Sequence, residues 1–354
     1  MELDRLLRET VNAGASDLHL TAGLPPVLRI HGELNPIPNE PAVTAAELET
    51  ALFGLLSEDQ RALLRRDGQV DLSVGVRGLA RFRVNIYRQR STYASVMRVI
   101  PTEIQTLEML GLPEVVKQFT EKSRGLVLVT GPTGSGKTTT LASMIDLINC
   151  SRSSHIITLE DPIEFLHRHK RSIINQREIT GDCCDFTSGL RSALREDPDV
   201  ILVGEMRDLE TIATAISAAE TGHLVLATLH TNDTVQTVDR IVDMFPPHQQ
   251  QQIRVQLAAV IQGVVSQQLI PRIDRPGRVL AAEILVATPA VRALIREAKT
   301  HQIYSVIQTG ARFGMQTMDS VLRTLCQNRT ISVSEALLRA TDQEEFKRSL
   351  SILA

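Results

Sequence analysis

The sequence predicts an α/β protein in two parts. A small N-terminal α/β domain is followed by a parallel-sheet α/β domain with a helical C-terminal part. Three observations carry this reading. Between Gly125 and about Ala227 short apolar runs alternate with helix-period patterns, as strands and helices do in a parallel sheet. Between residues 70 and 100 apolar and polar residues alternate with period two, as in antiparallel strands with one buried face. A chain of 354 residues also has the length of two domains.

Composition narrows the function classes. Apolar residues at 43% and charged residues at 22% describe an ordinary globular chain. A net charge of −3 and an aromatic content of 3% speak against a nucleic-acid partner, which calls for a basic field or a stacking platform. No apolar run approaches the roughly 18 residues of a membrane span, and no signal peptide is apparent, so the expectation is a cytoplasmic protein without direct membrane insertion. Cys150, Cys183, Cys184 and Cys326 lack zinc or CxxC spacing and read as thiols in a reducing compartment.

In chain order, Leu3, Leu6, Leu7 and Val11 mark a first helix, Asp17–Leu20 and Val27–Ile30 two strands, and residues 44–56 a second helix with Thr44 as N-cap. In residues 80–87, Phe82, Val84 and Ile86 point one way and Arg81, Arg83 and Asn85 the other; residues 92–100 repeat the alternation. The N-terminal domain therefore spans 1–98 and carries an arginine-studded face, which by itself reads as a solvated surface. Residues 99–113, with prolines at 101 and 113, form an interdomain linker. The parallel-sheet core spans 114–287 and the C-terminal helical region 288–354, where Thr288-Pro289 starts a helix and Ser332 with Glu335 fits a capping box. Ile253, Leu257, Val260, Ile261 and Val264 predict one long helix over 249–268.

The most specific stretch is Gly131-Pro132-Thr133-Gly134-Ser135-Gly136-Lys137-Thr138, a full G-x-x-x-x-G-K-[ST] match followed by Thr139. It lies between an apolar strand (Leu126–Val129) and a helix pattern (Leu141, Met144, Ile145, Ile148), the order a phosphate-binding loop needs. Glycines let the backbone turn its N–H groups inward, and the helix N-terminus adds its dipole. Lys137 can reach the β- and γ-phosphates of ATP, and Thr138 can offer a hydroxyl to Mg²⁺.

Three further apolar strands end in polar residues, at the edge where parallel sheets bind ligands. Ile156–Leu159 leads to Glu164, a candidate to polarise water. Val200–Val203 leads to Glu205, placed like the Mg²⁺-holding acid of a Walker B strand. Leu224–Ala227 is flanked by His223 and His230, either of which could sense a γ-phosphate by hydrogen bonding.

These motifs, taken with Ala15–Leu20, Arg29–Gly32, Ile157–Phe165, Arg195–Asp208, Thr221–Thr231 and Gly314–Asp319, resemble the pilus-retraction ATPases of the type II and type IV secretion superfamily over nearly the full chain. The resemblance implies a PAS-like first domain, a RecA-like P-loop NTPase second domain, and a homohexamer. It implies that Arg81, Arg83 and Arg98 reach the phosphates, that Glu164 is the general base, and that Glu205 positions Mg²⁺ or water, with the two acidic roles exchangeable. His230, and less directly His223, then couples nucleotide state to a neighbouring domain or subunit. The implied partners are an inner-membrane pilus platform protein and a sibling pilus ATPase, which would hold the motor at the inner membrane through proteins alone. One departure stands out: where the family has Asn in an Ala-Ile-Arg-Asn-Leu-Ile-Arg-Glu helix, this chain has Ala293. Rival readings are a non-hydrolysing paralogue, against which the intact Lys137, Glu164 and Glu205 speak, and a DNA motor, against which the charge speaks.

Overall fold

The computed structural model describes residues 2–30, 32–76, 78–100 and 103–351. The chain divides into two compact units, Met1–Glu103 with Glu164–Leu166, and Ile104–Ile163 with His167–Ala354. Both are α/β. His31, within one of the resembling motifs, and Pro101 of the expected linker lie outside the described residues, as does Leu353 of the helical region.

The first unit runs α1 (Leu3–Asn12), β1 (Asp17–Thr21), β2 (Val27–Ile30), β3 (Glu33–Pro36), α2 (Ala45–Phe53), α3 (Glu58–Asp67), β4 (Gln69–Val76), β5 (Ala80–Gln89) and β6 (Thr92–Ile100). Its described strands pair antiparallel in the order β3-β2-β1-β6-β5-β4. The period-two alternation decides which face is covered. Phe82, Val84 and Ile86 join Leu18, Leu20 and Met97 in a core closed by Leu6, Leu48, Leu52 and Leu64 from the helices. Thr44–Glu47 and Ser57–Gln60 capping boxes start α2 and α3. On the other face, strand register sets Arg83 opposite Arg98, Arg98 opposite Asp17, and Asp17 opposite Arg29.

The second unit runs α4 (Glu114–Thr120), β7 (Gly125–Thr130), α5 (Lys137–Ser151), β8 (His155–Glu160), β9 (Ile173–Glu178), α6 (Phe186–Ala193), β10 (Val200–Val203), α7 (Leu209–Glu220), β11 (Leu224–Leu229), α8 (Thr234–Asp243), α9 (Pro247–Val260), β12 (Ile261–Pro271), β13 (Arg278–Val286), α10 (Pro289–Arg296), α11 (Ile303–Thr309), α12 (Met318–Gln327), α13 (Val333–Leu337) and α14 (Gln343–Ser351). Among the described residues the sheet order is β13-β12-β7-β11-β10-β8-β9, parallel from β12 to β9 with β13 as an antiparallel edge. Its strands are apolar runs because both faces are covered. Leu126 and Leu128 of β7 pack with Ile212, Ile216, Val238, Ile241 and Leu257. Val127 and Val129 pack on the other face with Val116, Phe119, Leu141, Met144 and Ile148. Each such burial is worth about 1.5–3 kcal/mol against exposure. Leu107 and Leu112, in the stretch read as a linker, are buried in this second core. A small cluster of Ile270, Ala281, Met318, Leu322 and Phe346 ties the C-terminal helices to β12 and β13.

The single helix expected over 249–268 is a correction. The helix ends at Val260 and the chain continues as β12 beside β7. The helix-period apolar residues persist into the strand, so spacing alone could not separate them. The β-branched run Val264-Val265 and the interior Gly263 are strand-side signals. A Cβ at Gly263 would sit 2.2 Å from the Phe119 ring, and the register shifts at this point.

Candidate active site

The parallel strands of the second unit all turn their carboxyl ends to one edge, and the glycine loop after β7 lies there. Gly131, Gly134 and Gly136 have φ of 140°, 77° and 89°, conformations open mainly to glycine. At Gly131 space matters as well, because a Cβ would lie 2.2 Å from the Gln267 carbonyl oxygen. The helix that follows is a prepared anion site. Helices α6, α7, α8, α10 and α12 begin on Asp or Thr side chains that accept from their first-turn N–H groups. Helix α5 begins on Gly136 with no side-chain cap, so its first-turn N–H groups face the loop. The Ser135 hydroxyl is buried without a hydrogen-bond partner, an orphan that an anion would satisfy. The Lys137 ammonium, 8% exposed, donates to the carbonyls of Gly131 (2.9 Å) and Pro132 (3.1 Å). Thr138 and Thr139 follow on the first turn, both half-buried, while Pro132, Thr133 and Gly134 are exposed.

The neighbouring strand ends are tied to each other. Gly204 N–H donates to Leu159 O at 2.8 Å, and Met206 N–H to Thr228 O at 3.1 Å. The Thr228 hydroxyl donates to Gly204 O at 2.5 Å. This lattice holds Glu205 at the end of β10. One carboxylate oxygen lies 2.5 Å from Arg207 Nε and 3.2 Å from His230 Nε2. Burial pushes the Glu205 carboxyl up, but the Arg207 and His230 partners outweigh it and leave it below its ordinary value. It is an anion in the neutral range.

The sequence-derived residues do not all converge. His230 reaches the loop edge. His223 precedes β11 at the opposite edge, about 20 Å away at ~3.3 Å per residue, with Nδ1 2.9 Å from Ala218 O. The strand beside β7 is β11, and β8, which leads to Glu164, lies beyond β10. Glu164 is exposed and falls in the short segment that divides with the first unit. Within that first unit Arg81 is half-buried, Arg83 exposed, and Arg98 donates from Nε to Asp17 at 2.8 Å, with Arg29 Nε 3.9 Å away on the other side. Burial raises the Asp17 carboxyl, and the Ser16 hydroxyl and Arg98 more than offset it, so Asp17 stays charged and holds two arginines in the row.

Three residues were missed by sequence reasoning. Arg207 lies two residues after Glu205, inside the stretch Arg195–Asp208, but was given no role of its own. Arg292 of α10 donates to Ala258 O (2.5 Å) and Ala259 O (2.7 Å), closing the end of α9, and to Ala287 O (3.1 Å) just after β13. Gln267 was hidden by the helical reading of 249–268. Beside the loop opens a cavity of about 340 Å³ lined by Gln105, Met109, Leu110, Thr139, Leu269 and Leu280 among others, apolar walls with a few polar groups. Cys183 packs beneath Gly189, and Cys184 is exposed; both are free thiols.

Among the described residues no group of three or more His, Cys, Asp or Glu could hold a metal, and no helix is long and apolar enough to cross a membrane.

Comparison with known proteins agrees with this geometry. The model of the family described as type II/IV secretion system protein matches residues 1–338. The type IV pilus retraction ATPase PilT of Pseudomonas aeruginosa is 49% identical over 98% of this chain and 100% of its own length. A twitching motility protein of Neisseria gonorrhoeae is 49% identical over 91% of this chain and 86% of its own. A crystal structure of the pilus retraction motor PilT with bound ADP superposes with a TM-score of 0.92 at 48% identity, covering 98% of this chain and 99% of that one. On the match of its whole motif set, its sequence and its fold, the chain belongs to the type II/IV secretion system protein family.

Proposed function

We propose that this chain is an ATP-hydrolysing motor that powers retraction of type IV pili, working as a homohexamer on the cytoplasmic side of the inner membrane. The observation that carries the ATPase reading is the uncapped start of α5 behind a glycine loop, with Lys137 folded over it and the Glu205–His230 pair on the same edge. The likeness to PilT supplies the pilus.

In this reading the amides of residues 131–139 and Lys137 hold the phosphates of ATP. The cavity lined by Met109, Leu110, Leu269 and Leu280 suits the base. Thr138 and Glu205 would hold Mg²⁺, whose charge would offset that of the phosphate oxygens. Glu164 takes the proton of the attacking water, and Arg81, Arg83 and Arg98 answer the charge of the γ-phosphoryl, a contribution of about 10³-fold or more where arginine fingers act. His230, tied to Glu205, reports phosphate state to the loop that follows it. His223 serves at the far edge, toward a neighbouring subunit. An inner-membrane platform protein receives the motion, and a sibling pilus ATPase shares the work.

Steady-state ATPase of the wild type beside Glu164→Ala, with mass measured in the same buffer, tests the proposal. Turnover by a hexamer that is lost in the variant supports it. A hexamer without turnover in the wild type overturns it in favour of a nucleotide-sensing paralogue.

A further inference from the structure

The P-loop is built on β7 and α5, but its shape is held from β12. Gln267 is fully buried within that strand, one residue beyond the level of Thr130, where β7 ends. Both ends of its carboxamide are used. Nε2 donates to the Ser135 carbonyl at 2.8 Å, and Oε1 accepts from the Thr140 hydroxyl at 3.0 Å. The backbone is used as well, since the Gln267 carbonyl oxygen closes against Gly131 so tightly that no side chain fits there. One residue thus touches the loop at its first glycine, at its last turn, and at the helix that follows.

We infer that Gln267 is a positioning residue for nucleotide, acting through the P-loop backbone rather than on the phosphates themselves. This rests on the ATPase reading above. Anion recognition by a glycine loop depends on several N–H groups pointing at one place, and glycines supply no rigidity of their own. A carboxamide can donate to a carbonyl through its nitrogen and accept from a hydroxyl through its oxygen at once. By turning the Ser135 carbonyl outward to Gln267, the bond fixes the peptide that joins Ser135 to Gly136, and therefore the direction of the Gly136 N–H. The Thr140 bond locks the first turn of α5 to the same strand. Without these bonds the loop must be ordered when the phosphates bind, and that ordering weakens affinity.

The test uses the full-length chain and reads ADP affinity, the KM for ATP and kcat. Gln267→Met keeps the volume and removes both bonds. It should raise the Kd for ADP at least tenfold and the KM for ATP in step, with kcat at saturation changed less than threefold. Thr140→Val should raise the Kd about threefold and Thr140→Ser should restore it. The double variant Gln267→Met/Thr140→Val should bind no worse than Gln267→Met alone, because both act through one bond. A merely structural role would lower the melting temperature and leave the Kd where it was. Wild-type Kd in both Gln267→Met and Thr140→Val, a loss confined to kcat, or two effects that multiply independently would each overturn the inference. If Gln267→Met does not yield folded protein, the Thr140→Val and Thr140→Ser pair decides alone. A wild type that binds no ADP overturns the ATPase reading and this inference together, whereas a wild type that binds it beside unchanged variants overturns only the positioning role.

Discussion

His230 Nε2 and Arg207 Nε approach the same carboxylate oxygen of Glu205, at 3.2 and 2.5 Å. In the ATPase reading proposed above, the other oxygen of Glu205 would serve the reaction. Burial alone would raise this carboxyl, and its partners lower it below the ordinary glutamate value. A lowered carboxyl stabilises the fold above the unfolded value of about 4.3, and the contribution is lost as pH falls through the lower folded value. Glu205→Gln should therefore cost about 1 kcal/mol at pH 7, and its melting temperature should converge with that of the wild type in strong acid. ATP turnover should fall by about 10²-fold or more at neutral pH.

His167 behaves in the opposite sense. Burial, with a smaller contribution from Lys170 against Asp146, lowers its imidazole to about 4, and Nδ1 is buried without a partner. The folded state then resists protonation that the unfolded chain accepts near 6.5. Stability is full above the unfolded value and declines as pH falls from there to about 4, by up to roughly 3 kcal/mol. His167→Gln should flatten that slope in denaturant melts taken between pH 7 and 4.

Gly263 and Phe119 form a lock between β12 and α4. A methyl at Gly263 would meet three ring atoms at 2.2–2.8 Å. Gly263→Ala should destabilise by about 1–3 kcal/mol through overpacking. Phe119→Leu in the same chain should recover part of the loss, and a double-mutant cycle in urea measures the coupling. Additive effects would show that the two do not share the space.

Arg292 binds three backbone carbonyls, Ala258 and Ala259 at the carboxyl end of α9 and Ala287 just after β13. Arg292→Ala leaves them without that donor and should cost about 1–3 kcal/mol. Arg292→Lys should recover less than half, because an ammonium lacks the planar fork. Its half-buried neighbour Ala293 carries no such duty. Ala293→Asn should shift stability by only about 0.5 kcal/mol, the helix-propensity difference, and leave ATPase activity unchanged.

Much of this was legible in the residues. The P-loop announces itself because its glycines, lysine and threonine are adjacent in sequence and each answers a separate demand of phosphate binding. The strands Leu126–Val129, Ile156–Leu159 and Val200–Val203 are short, apolar but for Thr158, and bounded by turns, so their burial could be read directly. What stayed hidden depends on pairing. That Gln267 faces the loop follows from β12 lying beside β7, and nothing in residues 249–268 states that neighbour. His223 and His230 look equivalent in sequence because a strand separates them, yet a strand is the element that puts its two ends farthest apart. Arg98 reads as a free cation until the register sets it against Asp17.

The support of the P-loop by β12 also orders events on the ribosome. Gln267 lies 127 residues after Thr140 and 132 after Ser135. At about 5–20 residues per second, the loop and its helix are made roughly 6–26 s before the strand that holds them. In the first unit β4, β5 and β6 pair with immediate sequence neighbours, and the Asp17–Arg98 contact of β1 with β6 closes over 81 residues, a shorter wait. A chain arrested before Ile261 would carry every residue of the glycine motif and lack the strand that touches its peptides, so on the positioning role inferred above a nascent chain gains its full nucleotide affinity only once β12 is made.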